Sequence, residues 1–131
     1  MRSLILLISL IAVLFEMNDL VKSCNGAYKE IDGFKVGYDK PFNELSVPYL
    51  QKRYDEFNKK YFDDKLPKIK LIINNTKTAL GMCRSWRRKT EYRPVRTIQI
   101  SISTFLLRTE LSYCHTLLHE MIHCYEADVL D

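Results

Sequence analysis

Two histidines four residues apart, with a glutamate directly after the first, lie in an apolar helical pattern near the end of the 131-residue chain: His119-Glu120-Met121-Ile122-His123. The spacing has a physical reason on an α-helix, where positions i and i+4 share a face about 6 Å apart along the axis. Leu111, Cys114, Leu118, Met121, Ile122 and Tyr125 recur around the motif and predict the buried side of that helix. Thr109 is placed to cap it, and Glu110 suits the positive end of its dipole. A fold for this chain must therefore bury one flank of the helix and leave two imidazoles free to converge.

A second helix is expected after Ser46, a good N-cap, with Pro48 tolerated in the first turn. Leu50, Tyr54, Phe57 and Tyr61 form one apolar stripe, which reads as core, and the helix should stop by Asp63-Asp64, before Pro67. Between the two helices the pattern turns to strands. Lys68 to Ile73 and Ala79 to Trp86 read as strands, the latter with Gly81 where backbone approaches closely. Val95 to Ile102 places Ile98, Ile100 and Ile102 on one face, and residues 80–102 suit an antiparallel hairpin with a longish loop. The order helix, three strands, helix predicts an α+β fold: a small antiparallel or mixed three-stranded sheet with helices packed on one face. Residues 24–45, punctuated by Gly26, Gly33, Gly37 and Pro41, read as an irregular lead-in on the surface. Hydrophobic residues make up 47% of the chain, which excludes a disordered or low-complexity protein and provides for one core.

Leu4 to Phe15 is apolar but for Ser9 and follows Arg2. As a helix it would reach about 18 Å, against a bilayer core of about 30 Å, so no stable membrane span is expected. Residues 1–23 have three readings: a secretory signal peptide, an apolar helix packed on the domain, or an extension before a true start at Met17. The first makes the protein secreted.

The motif points to metal chemistry. Imidazoles of His119 and His123 can hold one Zn²⁺ at about 2.0–2.1 Å each. Glu120, about 100° round the helix, suits a general base that takes a proton from a water and delivers it to a leaving amine. A third protein ligand is harder to find. Only eight residues follow His123 and none is His, while Glu126, Asp128 and Asp131 are the downstream carboxylates. His115 stands about 12 Å from His123, too far to share one zinc, and reads as a bystander.

Arg84, Arg87, Arg88, Lys89, Arg93 and Arg96 cluster across the expected hairpin, interleaved with Trp86 and Tyr92 and opposed only by Glu91. Two readings stand open: a phosphate-contacting patch with aromatics that stack on unpaired bases, or a solvated tip whose charges deter edge pairing. The net charge of +4 mildly favours an anionic partner. The four cysteines form no C-x-x-C pair, so a structural zinc ribbon is not supported.

Several blocks together resemble the SprT-like (Spartan-type) metallopeptidase domain over residues 46–125. They are Tyr54, Phe57-Asn58 and Tyr61-Phe62 followed by Leu66-Pro67; Thr78-Ala79-Leu80-Gly81 with Cys83; Ile98-Gln99-Ile100-Ser101; and Thr116-Leu117-Leu118-His119-Glu120-Met121-Ile122-His123. The resemblance implies a zincin-like, zinc-dependent peptidase with His119 and His123 as metal ligands and Glu120 catalytic. It implies protein substrates, among them DNA-associated proteins and DNA–protein crosslinks, and a nuclear or cytoplasmic setting. It also implies a third zinc ligand, a His in a His-Gly segment downstream of the motif. The sequence stops at Asp131 before any such segment, so residues 46–131 read as a C-terminally truncated domain. Two functions follow: a zinc metallopeptidase, or a catalytically incomplete module that docks nucleic acid or a protein through its basic hairpin.

Overall fold

Ser46 caps the first helix, α1 (Val47–Phe62), as expected: its hydroxyl accepts from the Tyr49 N–H at 3.1 Å, and Pro48 sits in the first turn. The helix ends where Asp63 turns left-handed, at φ 54°. The computed structural model describes residues 22–23, 26–89, 94–106 and 108–128. Around α1 it places β1 (Lys22–Ser23), β2 (Gly26–Ile31), β3 (Phe34–Gly37), β4 (Lys70–Asn74), β5 (Gly81–Lys89), β6 (Pro94–Ser103) and α2 (Glu110–Asp128). The architecture is α+β, with two helices and two small sheets.

The larger sheet has the order β4-β6-β5 and is mixed. β4 runs parallel to β6, with Leu71 opposite Ile100, and β5 runs antiparallel to it from Gly81–Ile102 to Lys89–Pro94. The expected hairpin is therefore present, and β6 is its inner strand. Ile98, Ile100 and Ile102 are buried in the core. With them lie Leu50, Tyr54 and Phe57 of α1 and Cys114, Leu118, Met121 and Ile122 of α2. Leu117 and Cys124, outside the expected stripe, are also fully covered, so α2 is buried on a broader flank than its periodicity indicated. No helix among the described residues is long and apolar enough to cross a membrane.

The lead-in is not irregular throughout. Residues 24–45 contain the antiparallel hairpin β2–β3, turned at Asp32-Gly33, where both residues adopt positive φ. The glycines that suggested loop are turn and strand-end positions, and Ile31 and Val36 plug the hairpin into the core. Of residues 1–23, on which the three readings of the N-terminus rest, only Lys22–Ser23 are described, as β1; residues 1–21 lie outside the described residues.

Glu110, the first residue of α2, locks this hairpin to both helices. Its Oε1 accepts from the Gly37 N–H at 2.9 Å, and its Oε2 accepts from the Tyr49 hydroxyl at 2.5 Å and from Arg53 at 3.4 Å. Burial, with Cys114 and Glu110 alongside, holds the Tyr49 hydroxyl well above its ordinary pKa, so it stays a donor. Glu110→Ala leaves the largely buried Arg53 and a backbone N–H without this partner. It should destabilise the fold by about 2–3 kcal/mol in urea unfolding. A midpoint equal to that of the parent protein would show that the network contributes little.

Candidate metal centre

Helix α2 presents the motif because its capping and packing fix its rotation. The Thr109 hydroxyl accepts from the Ser112 N–H at 3.2 Å, as the sequence indicated, and the Met121–Ile122 flank is driven into the core. That leaves His119 and His123 exposed on one side, their Nε2 atoms 3.1 Å apart and their rings nearly perpendicular at 84°. Glu120, one residue round the helix, is buried at 5% exposure. Ligand atoms of His119, Glu120 and His123 all lie within 4.8 Å of one another. Among the described residues, no other group of three or more His, Cys, Asp or Glu side chains is so gathered.

The donor set fits a zinc ion. Two nitrogens on one tetrahedral zinc stand about 3.3 Å apart, close to the observed separation. Glu120 Oε2 is buried with no hydrogen-bond partner among the described residues, an arrangement that costs free energy unless a ligand or water satisfies it. Neither Glu126 nor His115 joins the set.

An open cleft of about 380 Å³ runs past the motif, lined by Leu80, Gly81, His115, Thr116, His119 and Glu120. His115, read as a bystander, is thus part of the cleft wall, one turn before the first motif histidine. Gly81 at the start of β5 makes the close approach expected of it. A Cβ there would stand 2.6 Å from Thr116 Cγ2 and 3.2 Å from Glu120 Cγ. The glycine lets the sheet edge press against the helix beside its carboxylate.

Arg108 is the structural residue that the sequence reading missed. Its side chain is buried, and it donates to the carbonyls of Ser103 and Ser112, both at 3.1 Å, and to the Thr116 hydroxyl. The signal available was one cation in the apolar stretch between Phe105 and Leu111. Burial pushes its guanidinium below the usual range for arginine. In the same region the Cys114 thiol, also buried, is pushed up to about 11, which makes it a packing group and not a nucleophile.

Of the basic hairpin, Arg84 is exposed on the sheet face away from the helices, where Met82 and Trp86 are exposed with it. Arg87, Arg88 and Lys89 lie on β5 and Arg96 on β6, with Arg87 opposite Arg96 in the register. Their side chains, and Arg93 entirely, lie outside the described residues.

A sequence model of the SprT-like family matches residues 50–128, more than half of the chain and all of the site. No curated protein and no solved structure gives a significant match.

Proposed function

The chain belongs to the SprT-like family, and from that premise we propose that it is a zincin-like, zinc-dependent metallopeptidase that hydrolyses peptide bonds in protein substrates. One observation carries the reading: two imidazole nitrogens 3.1 Å apart beside a buried carboxylate oxygen that no group among the described residues satisfies. His119 and His123 would hold the metal. A zinc ion bound there supplies Lewis acidity, polarising a carbonyl and making a water easier to deprotonate.

The protein supplies the rest. Glu120 takes the proton of the attacking water on its free carboxylate oxygen and passes it to the leaving amine nitrogen, as its position between the motif and the cleft wall allows. The Glu120 side chain is buried, and the close approach of Gly81 to its Cγ leaves it little room to swing. β5 is an edge strand of its sheet among the described residues, and its first residue lines the cleft. An extended substrate that pairs along that edge is led toward His119 and Glu120. DNA-associated proteins and DNA–protein crosslinks are the substrates we attach to this reading. The exposed Arg84 and Trp86 support contact with a nucleic acid on the neighbouring sheet face.

The test is metal content and proteolysis of the full chain. About one tightly held zinc per chain is expected. Cleavage of an unstructured protein such as casein should vanish on chelation and return with added zinc. No bound zinc after zinc is supplied would overturn the peptidase reading and leave the non-catalytic binding module, tested by salt-dependent DNA binding.

A further inference from the structure

Arg108 is a buried cation with no carboxylate within ion-pair distance among the described residues. A charge in that position needs satisfied donors, and Arg108 satisfies them on two sides. Nη1 bonds the sheet: the Ser103 carbonyl at the end of β6, and the Leu80 carbonyl just before β5 at 3.4 Å. Nη2 bonds the helix, through the Ser112 carbonyl and the Thr116 hydroxyl. The guanidinium also sits over the Tyr113 ring, 4.7 Å from its centre. Two of these hydrogen-bond partners, Leu80 and Thr116, line the cleft that contains Glu120. Thr116 has little freedom, because its hydroxyl also donates to the Ser112 carbonyl at 2.9 Å, and its methyl is the group that meets Gly81.

We infer that Arg108 is a positioning residue: its planar fork ties the Leu80–Gly81 wall to the helix that bears Glu120 and so fixes the width of the cleft. This rests on the peptidase reading for its consequence in catalysis, but not for its consequence in structure. Arg108 touches neither motif histidine in the bonds it makes, so it sets the distance between wall and carboxylate without holding the metal. Lysine keeps the charge and cannot reproduce the fork, since an ammonium is a point donor.

The experiment compares the parent chain with Arg108→Lys, and with Arg108→Ala given millimolar guanidinium. In Arg108→Lys, amide exchange should rise about 10- to 100-fold at residues 80–83 and 112–120 and stay unchanged in α1. Its kcat on casein should fall about 100-fold, with KM changed far less, because a displaced carboxylate costs turnover more than binding. Zinc affinity, measured by competition with a chelating dye, should not change. Guanidinium should restore part of the activity of Arg108→Ala. Exchange and kcat equal to the parent would overturn the inference. So would exchange that rises equally in α1, which would make Arg108 a general stabiliser. A parent chain with no peptidase activity would sink the peptidase reading, and the local exchange contrast would still decide the role of Arg108.

Discussion

Glu120→Gln should reduce turnover of a protein substrate by about 10²- to 10⁴-fold, the usual contribution of a general base, while zinc stays bound. The amide has the shape of the carboxylate, so the packing against Gly81 is kept. What is lost is the ability to accept a proton. Zinc should remain because His119 and His123 keep their 3.1 Å approach on the helix surface. Stability offers an independent check. Glu120 Oε2 has no hydrogen-bond partner among the described residues, so the substitution breaks no bond seen at that atom and the thermal midpoint of the zinc-free protein should not fall. An unchanged turnover number would remove Glu120 from the proton path. A lost zinc ion with an intact fold would show that the carboxylate is a ligand.

Gly81→Ala is the second large effect, and it acts on fold and chemistry together. The added methyl would lie 2.6 Å from Thr116 Cγ2, 3.2 Å from Glu120 Cγ and 3.4 Å from the Ser101 carbonyl. Rotating Thr116 out of the way would break its bonds to Ser112 and Arg108. The strain is relieved instead by moving α2 away from β5. Overpacking of this kind costs about 1–3 kcal/mol, readable as a lower urea midpoint. A shift of the helix by even part of an ångström misplaces Glu120, for which a loss of about 100-fold in kcat is expected. Thr116→Ser provides the control, since it removes the clashing methyl and keeps the hydroxyl. The double variant should recover most of the stability, and a coupling energy near zero between the two sites would show that the contact is not what matters.

Both substitutions probe features of unequal visibility in the sequence. The motif was legible because i, i+4 spacing is a property of any helix, and the apolar residues around it fixed which flank is buried. The caps at Ser46 and Thr109 were legible for the same reason: a hydroxyl reaching a backbone N–H three residues on is a local event. Gly81 could be suspected, since a lone glycine in a strand signals close approach, but nothing local named Thr116 and Glu120 as what approaches. The β2–β3 hairpin was hidden by its glycines, which punctuate a turn as readily as a loop, and by strands too short to show alternation.

Alone, the sequence determined the local elements: where each helix is capped, which of their residues seek the core, and that His119, Glu120 and His123 share one helical turn. Local elements follow from interactions over a few residues, which the order of the chain specifies directly. The tertiary structure decided that β6 lies between β4 and β5, that Gly81 faces Glu120, and that Arg108 braces Leu80 against Thr116. Arg108 and Leu80 are 28 positions apart, and Gly81 and Glu120 are 39 apart. Such contacts depend on how the sheet and helices settle against a common core, where packing and hydrogen-bond satisfaction over the whole domain select the arrangement.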